Sequence, residues 1–225
     1  MNDSVRIIGG GLSGCEAAWQ LAARGHDVLL SEMRPVRSSP AHASSDLAEL
    51  VCSNSLRSDS PEAAVGLLKR ELRGLGSLVM AAADHHRVPA GSALAVDRVL
   101  FAREITRVLE AHPRVTILRE EVRSVPREGP VLLTPGPLVS DPLAEDLAAI
   151  VGGAHLSFFD AIAPIVDGAS LDMERLFAAS RWDKGDGDDY LNAAMDAQAY
   201  RIFVEALLAA DRIQPAPFDG DDTIP

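Results

Sequence analysis

Six residues near the start of the chain, Gly9-Gly10-Gly11-Leu12-Ser13-Gly14, restrict the fold more than any other feature. They have the spacing GxGxxG, follow the apolar run Val5-Arg6-Ile7-Ile8, and precede helix formers from Cys15 to Ala23 that stop at Arg24-Gly25. A second strand-like run, Asp27-Val28-Leu29-Leu30-Ser31-Glu32, comes next. Strand, glycine turn, helix and strand in this register read as a βαβ unit that holds a dinucleotide. Gly9 makes the tight turn, Gly11 lets the backbone approach a pyrophosphate, and Gly14 lets the helix pack on the strand. The pyrophosphate would rest on the N-terminus of the helix that begins near Leu12, where unpaired N–H groups and the dipole favour an anion. Glu32, 18 positions after Gly14, ends the second strand, where a carboxylate accepts hydrogen bonds from the ribose hydroxyls and repels a 2′-phosphate; this disfavours NADP. The fingerprint itself admits FAD or NAD. The long segment before the sheet resumes is common in flavoproteins and points to FAD.

Residues 33–60 carry Pro35, Pro40 and many serines with little periodicity, so a long loop with at most one helical turn is expected; loops of that length are usually functional or disordered. Ser60-Pro61-Glu62 reads as a helix start with Ser60 as the cap. Val65, Leu68, Leu72, Leu75 and Val79 then mark one apolar face. Asp97 is the expected cap of a helix burying Leu100, Phe101, Ile105, Val108 and Leu109, which ends before His112-Pro113. Val115 to Leu118 and Val131 to Leu133 read as strands of the first sheet, and Asp141-Pro142 starts a helix through about Ile150. Beyond Gly152-Gly153 come a strand-like Leu156 to Phe159, an acidic run at Asp186 to Asp189, and a last helix from about Asp196 to Ala210. The fold class is α/β, with a Rossmann-like domain over residues 1–155 and a second domain beginning at 156–225.

With 47% hydrophobic residues and 4% aromatics among 225, the core must be aliphatic. The two cysteines, Cys15 and Cys52, form neither a CxxC pair nor a disulfide framework, which points to a reducing cytoplasm and to no metal site. No apolar run approaches the ~20 residues of a membrane span, so a soluble, cytoplasmic protein is expected. A net charge of −12 argues against nonspecific nucleic-acid binding, which depends on Lys and Arg neutralising phosphates. An RNA substrate would need local basic patches around Arg34 and Arg37, Arg57, Lys69 to Arg73, or Arg87, although ordinary surface charge is the simpler reading of each. His85-His86 fits helix-end charge complementarity better than metal binding, and Asp183-Lys184-Gly185 with the acids after it fits a solvated loop. Cys15 is structural. Cys52 is either a buried small hydrophobe or a thiol acting beside a flavin, the latter favoured if Arg57 lowers its pKa.

Several strings are recognisable. Gly9 to Gly14, Glu32-Met33-Arg34-Pro35, Glu49 to Asp59, Ala64 to Lys69, and Val88 to Gly91 with Ala93 to Arg98 closely resemble the TrmFO family of methylenetetrahydrofolate-dependent, FAD-containing tRNA uracil-5-methyltransferases, relatives of the GidA flavoproteins. The resemblance runs on through Gly136-Pro137-Leu138, Phe159 to Ala161, Ala163 to Asp167 and Ser180 to Gly185, essentially the whole chain. It implies a GidA-related FAD-binding domain followed by the start of an inserted α+β domain. It also implies that reduced FAD takes a one-carbon unit from methylenetetrahydrofolate and passes it to carbon 5 of a T-loop uracil, with NAD(P)H resupplying electrons. The implied cofactor-binding residues are Gly9, Gly10, Gly11, Leu12, Ser13, Gly14, Glu32, Met33, Arg34, Arg98 and Gly136. Cys52 falls on one of two cysteines the family uses, and the resemblance brings Arg181 to Lys184 near the RNA or the flavin.

Departures from the family pattern matter equally. Members are about twice as long, in line with a two-domain assembly, and no residue of this chain corresponds to their second cysteine, the usual nucleophile toward uracil. Thr134-Pro135-Gly136 replaces a usual Ala-Thr-Gly and removes one backbone donor, and Ala193 stands where relatives often have Cys. The expected partners are therefore tRNA, or ribosomal RNA as some relatives use, the folate, and, if the gene is split, a complementary C-terminal chain. The alternative to a methyltransferase is an FAD-binding module without methyl transfer.

Overall fold

The β-branched and leucine-rich runs flanking the glycine motif pair side by side because a helix returns the chain between them. In the computed structural model, β1 (Val5–Ile8) and β2 (Val28–Glu32) are parallel neighbours joined by α1 (Leu12–Ala23). Residues 4–39, 41–152, 166–180 and 190–211 are described; the remainder of the sequence is not. β6 (Val115–Arg119) adds to the far side of β2 and β7 (Val131–Leu133) to the free side of β1, giving a parallel sheet ordered β6-β2-β1-β7. This is the Rossmann-type α/β arrangement expected from the sequence.

One face of that sheet packs against α1 and α4 (Arg98–Glu110), and α3 (Leu78–His85) lies against both helices. Ile7, Val28 and Leu30 meet Cys15, Ala18, Leu78, Phe101, Ile105 and Leu109 there, all buried. Small residues on α1 let the helix lie close to the strands. Each large aliphatic side chain buried in this way contributes about 1.5–3 kcal/mol. On the other face, Ile8 meets Leu143 and Leu147 of α5 (Asp141–Val151). The Asp97 carboxylate accepts from the backbone N–H of Val99 and Leu100, as a cap at that position should.

Several expectations are corrected. The loop after β2 holds a strand, β3 (Ser55–Ser58), which joins β4 (Arg87–Val88) and β5 (Ala93–Val96) in a second sheet ordered β3-β5-β4. Its pairing with β5 shifts register between Ser55 and Ser58, where Arg57 takes φ = 65°. The Ser60-Pro61-Glu62 segment is a turn, with Ser60 Oγ accepting from Glu62 N–H, and α2 (Ala64–Gly74) begins later at an uncapped Ala63. The supposed single apolar face breaks at Leu75-Gly76, where Ser77 caps α3 through Met80 N–H. Leu68 and Leu75 are 54% and 64% exposed, while Gly66 and Lys69 are the buried positions of α2. Lys69 is held there by Nζ donating to Ser58 O at 2.9 Å and Val65 O at 3.2 Å, which satisfies an ammonium inside the fold. Leu100 is exposed as well, one position off the buried stripe of α4.

The chain divides into two units, 1–88 with 93–163 and 89–92 with 164–225. The described part of the second contains the hairpin β8 (Leu176–Ala178) and β9 (Leu191–Ala193), two short 3-10 turns, and α6 (Ala197–Ala209), capped by Asp196 through Gln198 and Ala199 N–H. On α6 Tyr200, Ile202, Phe203, Leu207 and Leu208 are exposed. The expected strand at Leu156 to Phe159, the acidic run at Asp186 to Asp189, the 155/156 boundary and the 181–185 string lie outside the described residues.

Two glycines of α2 give opposite predictions. A Cβ on Gly66 would lie 1.9 Å from Ser60 O, whereas one on Gly74 would meet nothing within 4 Å. Gly66→Ala should destabilise by about 2 kcal/mol or more, and Gly74→Ala should stabilise by about 0.5–1 kcal/mol through helix propensity. Urea midpoints of the two variants check this.

Candidate cofactor site

The glycine motif sits where β1 ends and α1 begins, and its glycines are not interchangeable. Gly9 has φ = 106°, and a Cβ on it would lie 2.3 Å from Thr134 O, just past β7. A Cβ on Gly14 would lie 1.9 Å from Gly9 O, so this residue sets how closely α1 approaches the strand end. Gly10 is equally constrained, because its Cβ would lie 2.7 Å from Glu32 Oε2 and 2.6 Å from Leu47 Cδ2. Gly11 alone of the four would place a Cβ in open space, with nothing within 4 Å. It is also the N-cap residue of α1 with no side chain to satisfy the first turn, so the orphan N–H groups of that turn remain available to an anion.

Glu32 is 5% exposed at the end of β2 and organises the turn. Its Oε2 accepts from Gly10 N–H at 2.9 Å, and its Oε1 accepts from Arg34 N–H at 3.0 Å and Arg34 Nε at 2.8 Å. Burial pushes its carboxyl upward, but the Arg34 hydrogen bonds and charge, with Gly10 N–H, outweigh that and hold it below the ordinary range. With one donor on Oε2, a carboxylate oxygen keeps capacity for a hydroxyl. Arg34, only 2% exposed, continues to Glu49, its Nη1 donating to Oε2 at 2.8 Å. Glu49 is filled in turn by Ala43 N–H, Ser44 N–H and Ser44 Oγ. Sequence reasoning counted Arg34 among possible basic patches and missed Glu49 as its partner; both are internal.

This network folds the loop 41–50 over the glycine turn. Ala48 N–H donates to Gly10 O at 2.8 Å, Leu47 N–H to Thr106 Oγ1 at 2.8 Å, and Leu47, Ala48 and Leu50 are buried. Thr134 Oγ1 donates to Ile8 O at 3.0 Å and Gly9 O at 2.9 Å, tying the 134–136 segment to the same turn from the opposite side. Cys15 donates Sγ–H to Gly10 O at 3.2 Å, and burial pushes its thiol up to about 12, so it is a structural group.

Two clefts meet at this turn. One is lined by Glu32, Met33, Arg34, Val122 and Leu143, the other by Leu12, Ser13, Cys52, Leu56 and Gly136, and both include Gly11, His42, Glu49, Pro135 and Leu138. They form one furrow with an acid at one end, bare helix N–H groups at the middle and an apolar, cysteine-bearing far end. Cys52 is exposed, against the buried-hydrophobe reading, and Arg57 is not among the residues lining its cleft. Arg98, in the first turn of α4, lines neither cleft. Gly14 lies behind the turn, buried.

Most of the remaining sequence candidates are otherwise engaged, Arg57 and Arg70 excepted. Arg73 holds both Asp59 and Asp84, Arg87 pairs with Asp59, and Arg37 pairs with Glu121 and Asp141. His85 and His86 both contact Glu104, an acid brought in from α4 that sequence spacing did not show. Among the described residues no group of three or more His, Cys, Asp and Glu could hold a metal ion, and no helix is long and apolar enough to cross a membrane.

The Glu32 carboxyl, held below its unfolded value, contributes stability that is present above about pH 4.3 and lost as pH falls through the folded value. Glu32→Gln should therefore cost about 3 kcal/mol near neutrality, because Arg34 loses half its compensation. The gap to the parent should narrow in acid; urea midpoints across pH check both.

The sequence that builds this site is similar to those of known proteins. The family model described as glucose inhibited division protein A matches residues 4–218. Proteins named methylenetetrahydrofolate-tRNA-(uracil-5-)-methyltransferase TrmFO are similar along nearly all of the chain. That of Geobacter sulfurreducens is 58% identical over 97% of this chain and 50% of its own length. The Citrifermentans bemidjiense protein is 54% identical over 97% and 50%, and the Gloeobacter violaceus protein 52% identical over 99% and 49%. The chain thus spans about half the length of the curated relatives it matches. With the family model covering almost all of its residues, the chain belongs to the glucose inhibited division protein A family.

Proposed function

We propose that this chain is the FAD-holding half of a methylenetetrahydrofolate-dependent tRNA uracil-5-methyltransferase. The observation that carries the reading is the 58% identity to a protein of that name along 97% of the chain. The furrow supports the cofactor assignment because its parts follow the order of a flavin dinucleotide. Glu32 receives the adenosine ribose, with Met33 beside it, and Gly10 to Ser13 at the start of α1 receive the pyrophosphate. The apolar end at Pro135, Gly136 and Leu138 receives the flavin, with Cys52 facing it.

Bound FAD, reduced by NAD(P)H, would supply both the carrier for the one-carbon unit and the electrons that bring it to the methyl level. The chain's own contribution is positional. Arg34 fixes the Glu32 carboxylate, the loop 41–50 closes over the glycine turn, and Cys52 brings a thiol to the flavin end. Arg34, Arg37, Lys69, Arg73 and Arg87 are held by internal acceptors, which leaves Arg57 and Arg70 as this half's basic side chains for RNA among the patches named above and assigns most of RNA recognition to another part of the enzyme. The uracil nucleophile belongs there too, because Cys15 is buried and the sequence has only two cysteines. The substrate RNA is tRNA, the compartment is the cytoplasm, and a complementary C-terminal half completes the active site. A second reading, an FAD-binding module without methyl transfer, is favoured by the site's single exposed cysteine, Cys52, since Cys15 is buried.

Purified protein should be yellow and release FAD, identified by mass. Gly11→Ala should weaken FAD binding by about thirty-fold or more, since the added methyl occupies the space meant for the pyrophosphate, while the urea midpoint stays within about 0.5 kcal/mol of the parent. A colourless protein that does not take up added FAD sinks the reading. Methyl transfer to tRNA by the chain alone should be negligible. Activity on adding the remaining half of the Geobacter sulfurreducens relative would favour the methyltransferase over the bare module.

A further inference from the structure

We infer that His42 is a protonatable anchor for the cofactor's pyrophosphate, so that dinucleotide binding is coupled to the uptake of one proton. The inference deepens the dinucleotide reading and rests on it. His42 and Gly11 border the neck shared by the two clefts, the place where the pyrophosphate must pass. That neck is electrostatically unfavourable for a dianion. Glu32, Glu49, Glu120 and Glu121 all line the furrow, whereas Arg34 and His42 are the only basic side chains among its lining residues. Arg34 is already committed to Glu32 and Glu49. His42 has no carboxylate of its own: its Nδ1 meets Ser39 Oγ at 2.7 Å, and a turn from Ser39 O to His42 N–H holds the residue in place. This leaves it as the one side chain in the furrow able to add a positive charge opposite the helix N-terminus when a dianion arrives.

The groups around His42 decide the direction of the coupling. Burial, and then the Arg34 charge, hold its imidazole below the ordinary value, while Glu49 and Glu32 act weakly the other way. Before a dinucleotide binds, these surroundings favour neutral imidazole near neutral pH. A pyrophosphate in the neck opposes both effects and raises the imidazole value, because a charge-assisted hydrogen bond forms to the protonated ring. A group whose value rises on binding gives tighter binding below both values, and that gain is lost as pH climbs through the window around 6.5. Cys52, Glu120 and Glu121 share the furrow, and a variant without the imidazole separates their contribution from that of His42.

The test measures FAD and ADP-ribose binding to the full chain by flavin fluorescence and calorimetry, at about pH 6 and about pH 8. ADP-ribose carries the same pyrophosphate diester, and adenosine serves as the ligand without it. The parent protein should bind FAD and ADP-ribose about ten-fold more tightly at the lower pH, and correspondingly take up about half a proton on average across that interval, as read in two buffers of different ionisation enthalpy. His42→Asn retains a polar group toward Ser39 and should bind both ligands with a pH dependence under about two-fold, with adenosine binding unchanged. A structural role for His42 would lower affinity equally at both pH values and for adenosine as well, and that result overturns the inference. Parent binding with no pH slope, or the same slope in His42→Asn, overturns it while leaving the dinucleotide reading intact. If the parent binds neither FAD nor ADP-ribose, the dinucleotide reading itself fails and the inference goes with it.

Discussion

The hydrogen bond from Gly10 N–H to Glu32 is the contact on which the site depends. It joins the end of β2 to the turn after β1, so the two strands that define the βαβ unit are locked at the point where a ligand would arrive. A buried carboxylate is costly unless compensated, and the compensation comes from Arg34. Arg34 in turn takes Glu49 as a second carboxylate partner, which satisfies the far side of its buried guanidinium. The chain of dependence therefore runs from a backbone amide through acid, base and acid into the loop 41–50, and it orders a segment that has no helix or strand of its own. Burial of Leu47 and Leu50 completes the same task with apolar contacts.

Much of this was legible in the sequence where the cause is local. The glycine spacing, the terminal acid of β2 and the Asp97 cap depend on residues within a few positions of one another, and all three are found where expected. Features that depend on distant partners were not legible. Ser55 to Ser58 has no β-branched residue and no alternation, and it becomes a strand only because β5 offers it an edge. Lys69 looks like a solvated helix residue until Ser58 O is brought above it, and Arg34 looks like part of a basic patch until Glu49 folds beneath it. The break between α2 and α3 did leave a signal, the glycines at 74 and 76 around Leu75, but an apolar spacing that ran through them masked it.

The same distinction governs charge. A net charge of −12 describes a surface with few basic residues to spare, and the structure shows where they go: into pairs with Asp59, Asp84, Glu121 and Asp141 that fasten loops to helices. Exposed pairs of this kind add little stability singly. Their effect is to reduce the number of cations in the first unit that a polyanion could use.

The unequal surroundings of the glycines have an evolutionary consequence. At positions 9, 10 and 14 any side chain meets backbone or the buried acid, so mutation there is purged by loss of the fold whether or not the ligand is needed. At position 11 the added methyl meets only space. A lineage released from the need for its cofactor would show drift at this codon first, while its three neighbours stayed fixed, which makes residue 11 the place to look when sorting working members of the family from folded descendants that have fallen silent.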